Sequence, residues 1–148
     1  MLVQTLMILF NRDLKKLRKE IESFRDEKNI WKTEAGIANS SGNLCLHLIG
    51  NLNTYIGAVL GNTGYVRNRD LEFSAKDIPR QELLKKIDDT IIVVETTLVL
   101  IKNEQLSQEY PILVLEEKTT TEYFLVHLAT HLTYHLGQVN YHRRLLDL

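Results

Sequence analysis

The segment HLATHLTYHLGQVNYH, His127–His142, decides which kind of fold this chain is expected to adopt. Its apolar residues Leu128, Leu132, Leu136 and Val139 recur every three or four positions, which is the period of one face of an α-helix. Four of the five histidines of the chain lie in the same segment. A rotation of about 100° per residue places all four on one edge of that apolar face. Side chains at such an edge can lean between two packed helices and still reach water.

Three further segments repeat the helical spacing, so the chain is predicted to be all-α. Ser40 or Ser41 is a suitable N-cap for the second helix, and Gly61 is a suitable end. A T-x-x-E capping box at Thr119–Glu122 begins the fourth helix. The β-branched run at Ile91–Val94 has strand propensity, but its flanks continue the helical period, so it is assigned to the third helix. The four helices are expected at about Val3–Glu27, Ser41–Leu60, Pro79–Lys102 and Thr119–Leu146.

Four long helices in 148 residues predict one domain, residues 1–148, folded as a four-helix bundle. The connection Asn62–Ile78 is long for a helix hairpin, so it can cross the bundle and make the second and third helices parallel. That connection predicts an up-down-down-up order. Pro111 precedes the residues ILVL, Ile112–Leu115, which are expected to be briefly extended.

Composition excludes several classes of protein. The net charge is −1 and no basic, aromatic-rich stripe is present, which argues against nucleic acid as a partner. The single cysteine, Cys45, cannot form an internal disulfide, which is typical of the reducing cytoplasm. The apolar opening MLVQTLMILF is too short to cross a membrane and lacks the basic region and cleavage site of a signal peptide. A soluble, cytoplasmic protein is expected.

The histidine spacing predicts a metal site. Imidazoles four residues apart on a helix can bind the same ion, so either His127 with His131 or His131 with His135 could serve. His47 is the only histidine outside the segment, and it also borders an apolar face, on the second helix. Three neutral imidazoles would leave coordination positions open, which is the pattern of a catalytic metal site. The alternative is that these are surface or interface histidines.

Other polar residues near these helices are less specific. A zincin-type protease is excluded, because the general base that must follow the first histidine is replaced here by Leu132. Cys45 lies on a different side of the helix from His47 and is expected to fill the core. Asn51, one turn after His47, could orient a ligand or bind substrate. In the crossover, the arginines could bind an anion. The alternative is a set of local salt bridges among Arg67, Arg69, Asp70 and Glu72.

Three stretches together resemble the DinB-like (DinB/YfiT-like) superfamily of metal-dependent proteins: SGNLCLHLIGNL, GYVRNRDLEF and HLTYHLGQVNYHRRLL. The resemblance covers nearly the whole chain and implies a four-helix bundle with the crossed helix order. It also implies a divalent metal bound by His47, His131 and His135, and zinc or nickel is the expected ion. Tyr134 stands where some relatives have a further histidine.

The resemblance also suggests an activity. Known members mostly transfer or isomerise groups using low-molecular-weight thiols, so a thiol S-transferase acting on a small molecule is expected, with a hydrolase as another possibility. Asn51, Arg69 and Tyr134 are the candidate substrate contacts. Helix faces often pair in this family, which predicts a homodimer. The alternative is a non-catalytic metal-binding or dimeric helical module that senses a signal or binds a partner.

Overall fold

A computed structural model describes all 148 residues, Met1–Leu148, and the protein is all-helical. The only β-type pairing is an isolated bridge between Glu109 and Thr120. A 3₁₀ turn, Glu27–Trp31, follows the first helix. The α-helices are α1 (Leu2–Ser23), α2 (Ser41–Gly61), α3 (Arg69–Ser74), α4 (Arg80–Leu98), α5 (Asn103–Leu106) and α6 (Thr121–Leu146).

Helix α2 carries His47 and forms the middle of the core. Ser40 is its N-cap, as predicted: the Ser40 hydroxyl accepts a hydrogen bond from the Asn43 amide. The helix widens into a π-helical segment at Asn53–Ala58 and ends at Gly61, where Asn62 adopts a left-handed conformation with φ of 51°. Its length and apolar composition would allow it to cross a membrane, but most of it is buried inside the protein, as in the core helix of a soluble protein.

The four long helices pack in a closed arrangement. Helices α1 and α2 each contact both α4 and α6, whereas α1 and α2 barely touch one another. Apolar side chains from all four meet in one core of 29 buried residues. On α1 the helical period continues through Leu6, Phe10, Leu14, Leu17 and Ile21, all buried. The packing therefore brings α2 and α6, the two helices that carry the five histidines, side by side.

The crossover between α2 and α4 contains the short helix α3, which packs against α2. The Asn43 side-chain amide donates to the carbonyl oxygens of Glu72 and Ala75, at 2.9 and 2.8 Å. These two hydrogen bonds satisfy carbonyl groups at the end of α3 that have no partner within the helix. The crossover is thus fastened to the helix that carries His47.

Several expected helix ends are wrong by a few residues. Helix α1 stops at Ser23 rather than Glu27, and α4 stops at Leu98 rather than Lys102. The cap of α6 is Thr120, whose hydroxyl accepts from the Tyr123 amide, so the predicted Thr119 capping box does not form. Residues Ile112–Leu115, which were expected to be briefly extended, form no regular strand. The run Ile91–Val94 is helical, as predicted.

The end of α6 is tied to the end of α1. The Asp147 carboxylate accepts hydrogen bonds from the backbone amides of Arg25 and Asp26 and from the Asn29 side chain. Burial raises the pKa of Asp147, but these hydrogen bonds outweigh it and hold the pKa below its ordinary value. A second contact joins the same two helices: the Thr133 hydroxyl donates to the buried carboxylate of Asp13 at 2.6 Å. The Asp147 and Asp13 contacts together orient α6 against α1.

Candidate metal centre

Three imidazoles converge between α2 and α6. His47 comes from α2, whereas His131 and His135 lie one turn apart on α6. The ring centroids of His47 and His131 are 5.1 Å apart, those of His47 and His135 are 5.2 Å apart, and those of His131 and His135 are 4.6 Å apart. One nitrogen from each ring lies within 4.8 Å of the nitrogens offered by the other two. The three rings form a single cluster of nitrogen donors.

The fourth histidine of this edge does not join the cluster. The His127 ring is stacked between Phe124 and His131, with centroid distances of 5.8 and 6.3 Å. The helical period alone allowed His127 or His135 as the partner of His131. Helix α6 is rotated so that His135, rather than His127, lies beside His47.

The cluster is closest between His47 and His131, whose Nε2 atoms are 3.2 Å apart. Two nitrogens that bind one tetrahedral zinc ion at about 2.0–2.1 Å are separated by about 3.3–3.4 Å. The observed separation is thus close to the edge of a zinc coordination tetrahedron.

Glu72, from the crossover helix α3, lies behind His47. Its Oε1 atom is 3.1 Å from His47 Nδ1, and the residue is only 6% exposed. Arg67 donates two hydrogen bonds to the same carboxylate, at 2.8 and 2.9 Å. The Arg67 guanidinium also lies over the ring of Tyr55. A buried carboxylate and its counter-charge therefore support the histidine of α2.

Gln138 supports His135 in a similar way. Its side-chain Oε1 is 2.7 Å from His135 Nδ1, one turn along α6. When the amide oxygen accepts a hydrogen from Nδ1, the proton is held there and the Nε2 lone pair is free. His131 has no such support, because its Nδ1 is buried without a hydrogen-bond partner.

Two histidines of the cluster, His47 and His131, are held in the uncharged form at neutral pH. Burial lowers the pKa of His131 to about 4, and the neighbouring His135, His47 and His127 contribute in the same direction. Burial also lowers the pKa of His47, more than its hydrogen bond to Glu72 raises it. Neutral imidazoles have the free lone pair that a metal ion requires. The donor set thus fits a divalent ion that accepts nitrogen ligands.

A cavity of about 340 Å³ opens beside His135. Its walls come from the loop before α2 and from the edge of α6, and they contain no carboxylate, lysine or arginine. The Nδ1 atom of His142 is buried at this side of α6 without a hydrogen-bond partner. The lining residues are Gly36, Ile37, Ala38, Asn39, Leu44, Tyr134, His135, Gln138 and His142.

The three candidate substrate residues have different positions. Tyr134 lines the cavity, is 66% exposed, and its ring is 5.3 Å from that of His135. Asn51 is 7% exposed, and its Oδ1 atom is buried without a hydrogen-bond partner. Arg69 is exposed at the start of α3 and makes no side-chain hydrogen bond. The crossover arginine that reaches the histidines is Arg67.

Glu72 and Gln138 were not singled out as site residues from the sequence. Gln138 is three residues after His135, a spacing at which helix side chains are neighbours, so this contact was available from the sequence. Glu72 is 25 residues from His47. No periodicity relates the two, and only the path of the crossover brings them together.

Comparison with known proteins identifies a family. No curated protein matches the chain significantly. One family model, described as "Protein of unknown function (DUF1572)", matches residues 3–147. The match includes all three histidines of the cluster, together with Arg67, Glu72 and Gln138. Because it extends over nearly the whole sequence, the chain belongs to the DUF1572 family.

Proposed function

We propose that this protein is a metal-dependent enzyme that uses a small thiol as a nucleophile in a transfer reaction. One observation carries the proposal: the nitrogens of His47, His131 and His135 lie within 4.8 Å of one another, beside a cavity. Three protein ligands leave a coordination position open, as in catalytic rather than structural sites. Zinc or nickel is the expected ion, since imidazole suits both.

The DinB-like resemblance supplies the fold and the reaction class in this proposal. A DinB-like four-helix bundle in up-down-down-up order requires four long helices, two pairs of packed helices and a long crossover. The protein has four long helices, packs α1 and α2 against α4 and α6, and has a long crossover. The three histidines occupy the positions that the resemblance assigns to the metal ligands. Thiol transfer is the activity most often associated with that arrangement.

The metal would be held by His47, His131 and His135, and when bound it would lower the pKa of a small thiol, giving a thiolate at neutral pH. The protein itself supplies no competing thiol, because Cys45 is fully buried and burial raises its pKa to about 12. A nucleophilic thiol would therefore come from a second, small molecule. The uncharged cavity beside His135 is the proposed position for that molecule or its acceptor.

A transferase is favoured over a hydrolase by the position of Glu72. A hydrolase of this kind needs a carboxylate or a histidine free to take a proton from water. Both oxygens of Glu72 are occupied by Arg67 and His47, on the side of the ring away from its Nε2. The carboxylate that contacts the cluster is thus not available as a general base.

Metal binding and thiol transfer test this proposal directly. The purified protein, stripped with a chelator, is expected to bind one Zn²⁺ or Ni²⁺ per chain in isothermal titration calorimetry. At a free ion concentration 100 times the Kd, the ion should stabilise the fold by about 2.7 kcal/mol. The loaded protein should then accelerate conjugation of a small thiol, such as cysteine, to an electrophilic dye, and the stripped protein should not.

Two outcomes would contradict this proposal in different ways. Absence of stoichiometric binding for every divalent ion tested would eliminate the metal centre. Tight binding without any thiol transfer would instead favour the non-catalytic metal-binding or interaction module. His142→Gln provides a cavity variant in which metal binding should be unchanged while transfer is slowed, because His142 lines the cavity but lies outside the histidine cluster.

We further propose that the protein is a cytoplasmic homodimer. An apolar groove of about 450 Å³ runs between α1 and α6, with Leu2, Leu9, Val126 and Ala129 in its walls. Ile8, on the same part of α1, is 68% exposed. A second copy of the chain would remove these side chains from water. Sedimentation equilibrium at micromolar concentration should give twice 17.2 kDa; a mass of one chain would contradict the dimer.

A further inference from the structure

We infer that Glu72 is a positioning residue: it holds the proton of His47 on Nδ1 and thereby directs the Nε2 lone pair toward the metal. Arg67 and Gly50 keep Glu72 in place for this task. The inference rests on the proposed metal centre and adds residues that the helical histidine pattern does not contain.

The contact between Glu72 and His47 determines which ring nitrogen carries the proton. An ionised carboxylate can only accept hydrogen bonds, so the 3.1 Å contact from Oε1 to Nδ1 requires a hydrogen on Nδ1. Neutral His47 then has no hydrogen on Nε2. That bare nitrogen is the atom that lies 3.2 Å from His131 Nε2.

Arg67 makes the carboxylate a reliable acceptor. Its Nε and Nη2 atoms donate to Oε2 and Oε1 of Glu72, so the two planar groups are paired edge to edge. The Arg67 Nη2 atom is also 3.4 Å from His47 Nδ1, but that nitrogen has no lone pair free while it donates to Glu72. The ion pair gives the Glu72 carboxylate a counter-charge at a position where only 6% of its side chain is exposed.

Gly50 creates the space that the carboxylate occupies. A Cβ atom at this position would lie 1.9 Å from Glu72 Oε2 and 2.6 Å from its carboxyl carbon. Gly50 is one turn from His47 on α2, so only a residue without a side chain lets the carboxylate lie flat against the helix. The hydrogen bonds from Asn43 fix the backbone of Glu72 on the same surface.

Metal affinity is the expected measure of this arrangement. Losing a partner that orients a metal-binding histidine typically weakens metal binding about 10–100-fold. Glu72→Met, which leaves no acceptor oxygen beside His47, should therefore raise the Kd for Zn²⁺ by that factor. Asp70→Asn is the matched control, because Asp70 lies on the same short helix, is exposed and does not contact His47; its Kd should equal that of the wild type.

Gly50→Ala tests the same contact without removing a charge. The atoms that the new methyl group displaces are at the end of a flexible side chain, so α2 should keep its fold while the carboxylate moves away from His47. The Kd should again rise about 10–100-fold. Adding Gly50→Ala to Glu72→Met should produce no further loss, since both changes act on one contact.

Imidazole ¹H–¹⁵N spectra of the metal-free protein provide an independent readout. His47 should be protonated on Nδ1 in the wild type and in Asp70→Asn, and should lose this preference in Glu72→Met and Gly50→Ala. The inference would be overturned if wild-type His47 were protonated on Nε2, or if both variants had an unchanged Kd. Metal binding itself would remain intact in either case. Failure of the wild type to bind any ion would remove the proposed function, and the spectra would still decide the role of Glu72.

Discussion

His131→Ala is expected to abolish stoichiometric metal binding, whereas His127→Ala should bind the ion nearly as well as the wild type. The His131 ring lies within 5.1 Å of both other rings of the cluster, and its Nε2 atom is 3.2 Å from that of His47. Removing it leaves two of three ligands. The loss of metal affinity should then be far larger than the loss of about 10–100-fold that is typical of a residue that only supports a ligand. His127 is stacked on His131 but offers no nitrogen to the cluster.

The two variants form a matched pair, because both remove an imidazole from the same edge of α6. Metal content after dialysis and calorimetric titration with Zn²⁺ measure the difference, and thermal melting of the metal-free proteins checks that the fold survives. Equal losses in the two variants would show that the wrong pair of histidines has been assigned. Undiminished binding in His131→Ala would show that no three-histidine centre exists.

Phe124→Ala should give the largest loss of stability, about 3–5 kcal/mol in the free energy of unfolding. Phe124 is 1% exposed and lies at the first turns of α6. Its ring contacts those of Tyr110 and Tyr55, with centroid distances of 4.2 and 5.3 Å. The Tyr110 hydroxyl in turn donates to the carbonyl of Tyr55, in the π-helical part of α2. The cavity left by alanine would thus loosen the contact between α6 and α2.

Tyr123→Ala is the control for this change, since Tyr123 is the preceding residue and is 58% exposed. Its effect should stay within about 0.5 kcal/mol, as for most surface positions. Urea denaturation of both metal-free variants, followed by circular dichroism, compares the two. A Tyr123→Ala loss as large as that of Phe124→Ala would mean that α6 packs through a different face.

The helices could be predicted from the sequence because their signals are local. The apolar period of α1 and α6, the Ser40 cap and the end of α2 at Gly61 depend on residues within one or two turns of each other. The helix ends that were predicted less accurately also follow from the local nature of these signals, which do not distinguish neighbouring residues of the same type. Thr119 and Thr120 are adjacent residues of the same type, and only the final backbone conformation decides that Thr120 caps α6.

The histidine edge of α6 was also determined by the sequence alone, since a rotation of about 100° per residue leaves His127, His131 and His135 no other arrangement on a helix. Which two of them lie beside His47 was not determined by that rotation. It depends on the rotation of α6 about its own axis relative to α2. That rotation is determined by the packing of the buried faces of all four helices. The presence of Glu72 behind His47 likewise depends on the crossover lying along α2 at Gly50. A periodic pattern describes one helix about its own axis, whereas a metal centre requires the relative positions of two helices and a connection, which only tertiary packing specifies.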